Sequence, residues 1–164
     1  FPTRRSSDLS GKVLVCGSSG SAGDARRFAA QLVNGFELER PALAAMALSA
    51  DSSSLAPIAG DPDTQALFAR QIAAFGQPGD ILLTLSANPD SARVLDAIRA
   101  AHERDMRVIA LTGAGGGRTA ETLGPADILL CAPAERIARI REIHLLILHC
   151  LCDGIDCLLL GVED

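Results

Sequence analysis

From Lys12 onward, short runs of nearly continuous apolar residues alternate with longer stretches in which apolar positions recur every three or four residues. The short runs cover 13–16, 43–49, 81–86, 108–112 and 128–131, and their lack of interspersed polar residues is what strands covered on both faces require. The longer stretches cover 22–33, 64–75, 91–104 and 119–123, with a shorter helix at 52–59, and carry the spacing of helices with one buried face. Strict alternation of the two predicts βα units, hence an α/β fold: a five-stranded parallel sheet with helices on both faces. Turn chemistry agrees, because Gln77-Pro78-Gly79-Asp80 leads into the third strand and Thr112-Gly113-Ala114-Gly115-Gly116-Gly117 leaves the fourth.

The last helical stretch, 136–159, is roughly 36 Å long at about 1.5 Å per residue. Its middle, Leu145-Leu146-Ile147-Leu148, is apolar all round, which a surface helix of a monomer does not tolerate. A helical core shared between subunits is therefore expected. At the other end, Phe1 to Leu9 has neither a start Met nor periodicity and matches the translation of a common sequencing-library adapter. That stretch is set aside, leaving 10–164 as one domain whose N-terminal helical part is expected to be missing.

Composition narrows the picture. A chain of 164 residues is the size of one domain, and 48% hydrophobic with only 3% aromatic residues means that Ala, Leu and Ile build the core. A formal net charge of −5 excludes a broad nucleic-acid or anionic-membrane surface, which needs clustered Lys and Arg. No apolar run nears the roughly 18 residues of a membrane span, and no secretory leader opens the chain, so a cytoplasmic protein is expected. The five cysteines, Cys16, Cys131, Cys150, Cys152 and Cys157, lack a secreted disulfide pattern and are expected to be reduced, buried thiols.

Ligands of open parallel sheets bind at the carboxyl ends of the strands. Two loops at such ends carry small hydroxyl and Gly residues and run into helices: Gly17-Ser18-Ser19-Gly20-Ser21 and Ser86-Ala87-Asn88-Pro89-Asp90-Ser91. Unpaired backbone N–H groups, hydroxyls and the helix dipole can together hold an anion there.

A colinear set of motifs sharpens this. It comprises Cys16-Gly17-x-x-Gly20-Ser21-x-x-Asp24-Ala25, Phe36-Glu37-x-Glu39-Arg40-Pro41, Gly79-Asp80-Ile81-Leu82-Leu83, Ala110-Leu111-Thr112-Gly113, Ala138-Arg139-Ile140-x-Glu142-x-His144 and Cys150-Leu151-Cys152-Asp153-x-Ile155-Asp156. In these the chain resembles SIS-domain proteins, namely the phosphoheptose isomerases and their non-enzymatic relatives, the initiator-associating proteins that bind the replication initiator DnaA. The resemblance implies a flavodoxin-like three-layer domain in a homotetramer that binds a phosphorylated sugar. It implies substrate contacts at Ser18, Ser19, Gly20, Ser21, Asp61, Ser86, Asn88 and Ser91, and Arg141 is a further candidate because a guanidinium favours bidentate contacts with phosphate.

The isomerase pattern also implies a His and a Glu four apart on the first helix, and a Gln and a His eight apart on the last, which together hold zinc. Here those positions read Arg27, Gln31, Arg141 and His149. A guanidinium has no lone pair to give a metal, and the amide of Gln31 at the base position is not a general base. His149 remains as a candidate acid, while His144 is assigned to packing. Arg27 and Arg141 either pair with acids such as Asp24 or Glu142 or meet to grip an anion. Pro89 removes an N–H from the second loop, and Asp90 is expected to bring a negative charge near the phosphate. The resulting expectation is a phosphosugar-binding protein without zinc or other cofactor, regulatory and non-catalytic, with the replication initiator as a possible partner. The alternative is an active isomerase converting sedoheptulose 7-phosphate to D-glycero-D-manno-heptose 7-phosphate.

Overall fold

The computed structural model describes residues 11–48, 66–113 and 115–161. Five parallel strands, β1 (Val13–Gly17), β2 (Ala45–Ala47), β3 (Ile81–Leu85), β4 (Arg107–Thr112) and β5 (Ile128–Cys131), form one sheet in the order β2-β1-β3-β4-β5. The helices are α1 (Ala22–Asn34), α2 (Leu67–Phe75), α3 (Ala92–His102), α4 (Gly117–Thr122) and α5 (Ile137–Leu160). The short helix expected at 52–59 and the first residues of the 64–75 stretch lie outside the described residues.

Alternation along the central strands sorts the core into two layers. Leu14 and Cys16 of β1 and Leu82 of β3 join Phe68 and Ile72 of α2 and Val94, Ala97 and Ile98 of α3. Val15, Leu83 and Leu85 instead join Phe28 and Leu32 of α1 and Leu148 and Cys152 of α5. Side chains of period two facing two helical layers make the three-layer α/β sandwich expected of strands buried on both sides.

Edge strands depart from that expectation. β2 has shrunk to three residues with Met46 exposed, and Ile128 of β5 is also exposed, because an edge strand has a neighbour on one side only. The thiols divide similarly: Cys16 and Cys152 are buried, whereas Cys131 and Cys150 are exposed, which corrects the expectation of buried cysteines. Burial pushes the Cys16 thiol up to about 12, so it is inert as a nucleophile.

By length and composition α5 is long and apolar enough to cross a membrane, contrary to the expectation that no run nears that size. Its inner face, Ile140, His144, Leu148, Cys152 and Asp156, is buried within the domain. Leu146, Leu158, Leu159 and Leu160 are left exposed on the other.

Candidate functional site

β1 and β3 are neighbours whose following chain segments leave in opposite directions along the sheet, so the order reverses between them. Their carboxyl ends are therefore the switch point of the sheet, the place where ligands of open parallel sheets bind. Both hydroxyl-rich loops end there. Ser18 Oγ lies 2.8 Å from Ser86 Oγ, joining the two loops directly.

The first loop makes a 3-10 turn, Ser19–Ser21, before α1 begins at Ala22. Gly17 is required by close approach, because a Cβ there would stand 2.2 Å from the Ser21 carbonyl oxygen. Ser19 adopts φ 50°, a left-handed conformation that favours glycine. Backbone strain of this kind is held only where its surroundings enforce it. Ser19 and Gly20 are exposed, Ser18 is partly buried and Ser21 is buried at the start of the helix.

In the second loop, Ser86 Oγ donates to the Asn88 carbonyl at 2.8 Å and accepts from the Asn88 N–H at 3.2 Å. Asn88 Oδ1 accepts from the Asp90 N–H at 3.0 Å, and Ser91 is the N-cap of α3. The Pro89 carbonyl accepts from Thr119 Oγ1 at 2.6 Å, while Asp90 Oδ1 accepts from the Arg118 N–H at 2.8 Å. Asp90 therefore spends its charge on the first turn of α4, which corrects the expectation that it faces the phosphate. A carboxylate is stable at that place, against the unpaired N–H groups of a helix start.

The seam between α1 and α5 carries the remaining candidates. At the loop end, Arg141 Nη2 donates to Asp24 Oδ2 at 3.2 Å, with the arginine side chain 41% exposed and the aspartate 13%. The pairing reading of Arg141 thus holds, while Arg27 is exposed on α1. Further along, Gln31 Oε1 accepts a weak bond from Cys152 Sγ at 3.8 Å, and the His149 ring lies 5.2 Å from that of Phe36, tilted by 32°. Seven residues separate Asp24 from Gln31, or roughly 10 Å of helix. Arg141 is brought to the first loop; Gln31 and His149 lie deeper along the seam. Asp61 lies outside the described residues.

Two residues had not been singled out for function and support the site. Arg40, whose side chain is buried, pairs with Asp156 of α5 and donates to the carbonyls of Gln31 and Leu32 at the end of α1. It fixes the helix of Gln31 against the helix of His149, and its place in the Glu39-Arg40-Pro41 motif was its only visible signal. His144 is buried, with Nε2 at 3.0 Å from the Thr112 carbonyl. A carbonyl only accepts, so Nε2 carries the proton and Nδ1 is left bare and buried. Burial pushes its pKa below the usual histidine value, against the opposing pull of the Thr112 carbonyl and the Asp24 charge.

The donor set does not suit zinc. Of Arg27, Gln31, Arg141 and His149, only the histidine is a usual ligand, and among the described residues no group of three His, Cys, Asp or Glu could hold a metal.

Two hydroxyl loops joined at the switch point of a flavodoxin-like sheet, each leading into a helix start, are the arrangement of a small-anion site. The chain belongs to the SIS-domain family, which it matches over residues 5–113. It is 62% identical over 154 residues to the phosphoheptose isomerase of Azoarcus sp. (strain BH72), covering 94% of this chain and 78% of that one. Among solved structures, it is similar to phosphoheptose isomerase GmhA from Neisseria gonorrhoeae, with a TM-score of 0.82, 46% identity and coverage of 90% and 77% of the two chains. It also resembles a phosphoheptose isomerase from Francisella tularensis, with a TM-score of 0.85, 44% identity and coverage of 91% and 78%. These similarities overturn the regulatory, non-catalytic expectation. That expectation weighed a few altered side chains above the match of almost the whole chain to proteins named as isomerases.

Proposed function

We propose that this chain is a phosphoheptose isomerase, interconverting sedoheptulose 7-phosphate and D-glycero-D-manno-heptose 7-phosphate. The observation that carries this reading is the 62% identity over 94% of the chain to a protein of that name. Ketose and aldose differ by a proton moved from the carbon next to the carbonyl onto the carbonyl carbon, with a hydroxyl proton passing between their two oxygens, so the site must hold the sugar phosphate and carry protons between these atoms. Ser18, Ser19, Gly20, Ser21, Ser86, Asn88, Ser91, Arg141 and Asp61 are the substrate contacts. His149 carries the proton, and Gln31 orients a hydroxyl or carbonyl through its amide. The assembly is a homotetramer acting in the cytoplasm, a reading supported by the exposed apolar side chains of α5.

Incubating the full chain with sedoheptulose 7-phosphate and following the anomeric proton of the aldose by NMR tests the reading. Accumulation of the aldose phosphate is expected, with His149→Ala lowering kcat by about 100-fold. Absence of any conversion by the wild-type chain overturns it.

A further inference from the structure

The positive charge at the first loop is borne by α5. Three observations place it. A Cβ on Gly20 would lie 2.9 Å from Arg141 Nη1, so the guanidinium occupies the space above this glycine. Asp24, in the first turn of α1, holds Nη2 at 3.2 Å. Arg141 Nε is buried and has no hydrogen-bond partner among the described residues, leaving a donor unspent.

We infer, resting on the isomerase reading, that Arg141 held by Asp24 over Gly20 is the fixed cation of this site, gripping the phosphate of the sugar, and that binding and turnover need no metal ion. A guanidinium presents several N–H groups in a rigid fork that matches phosphate oxygens, and it keeps its charge at every working pH. Asp24 occupies one of its nitrogens and aims the others toward the Gly17–Ser21 loop. There the start of α1 adds its dipole to the same anion. A permanent cation at the position the isomerase pattern gives to a metal ligand also repels a divalent ion, and the neighbouring amide and exposed arginine offer no replacement ligands.

Isothermal titration of the full chain with sedoheptulose 7-phosphate, run beside the turnover assay, tests the inference. The wild-type chain is expected to bind and turn over equally in EDTA and in added zinc. Arg141→Gln weakens binding about tenfold or more, and Arg141→Lys falls between, because it keeps the charge and loses the fork. Sedoheptulose without its phosphate binds the wild-type chain and Arg141→Gln alike. Asp24→Asn, which loosens the arginine without removing it, weakens binding by about threefold. Circular dichroism melts establish that each variant is folded, and should Arg141→Gln unfold, Arg141→Lys and Asp24→Asn carry the test.

Unchanged binding of the sugar phosphate by the folded Arg141 variants overturns the inference and leaves the isomerase reading standing. Activity lost in EDTA and restored by zinc overturns it too. Binding as expected with no turnover overturns the isomerase reading and leaves the arginine clamp. A wild-type chain that does not bind sugar phosphate overturns both.

Discussion

The two ends of the sheet treat their polar groups in opposite ways. At the amino end, Asp80 accepts from the Lys12 N–H, the Lys12 ammonium and the Gln77 N–H, and Asp127 accepts from the N–H groups of Val108 and Gly124 and from His102. At the carboxyl end, Thr84 Oγ1, Thr112 Oγ1, Arg141 Nε and His144 Nδ1 are buried with no partner among the described residues. Such orphans are rare because each costs about 1–3 kcal/mol of desolvation. The fold saturates the first set of polar groups and leaves the second without partners. Asp156 Oδ2, also unpartnered, is the exception near the amino end.

The largest effect that would break this contrast is at the amino end. Asp80→Ala strips three donors of their acceptor and leaves Lys12 unpaired, with an expected loss of about 3 kcal/mol in urea unfolding and unchanged turnover per folded molecule. A loss of turnover without a loss of stability would reverse the roles assigned to the two ends.

Acid separates the ends as well. His144 has a lowered pKa in the folded chain, so the unfolded chain binds its proton more readily, and its contribution to stability falls away as pH drops below the usual histidine value of about 6.5. For Asp80 and Asp127, burial raises the pKa, but the bonds from Lys12 and Gln77, and from Gly124, Val108 and His102, outweigh it. Their depressed values add stability above the ordinary carboxylate value of about 3.9, lost only as pH falls through the folded values. Melting curves across pH are expected to show a decline beginning near pH 6.5 that His144→Gln removes, followed by a separate decline in stronger acid that it leaves in place.

Smaller effects sharpen the carboxyl end. Thr84→Val removes an orphan hydroxyl at nearly constant shape and is expected to raise stability by up to about 1 kcal/mol. Ser19→Gly relieves the left-handed backbone and is expected to stabilise by a few tenths to about 1 kcal/mol, part of the gain being offset by the freer unfolded chain. Both are read from thermal melts; a destabilised Ser19→Gly would show that the serine side chain bonds within the loop.

The central strands and the helix order were legible in the sequence because each depends on local apolar spacing. Edge exposure at Met46 and Ile128 was not, since it depends on which strands find a second neighbour. Both hydroxyl loops were legible as strand-end segments entering helices. The engagement of Asp90 by Arg118, 28 positions further along, was not, and the Asp24–Arg141 pair, 117 positions apart, stood only as one of two readings. The three altered side chains, Arg27, Gln31 and Arg141, were given more weight for function than the resemblance of the rest of the chain, and that weighting was wrong.

The bond between Ser18 and Ser86 has a direction. Ser86 gives its one proton to the Asn88 carbonyl, so in the pair of hydroxyls it is Ser18 that donates. Ser18 has no second proton to offer. An anion arriving between the loops can claim it only by breaking the clasp, while a ligand group that donates can use the Ser18 lone pairs and leave the clasp shut.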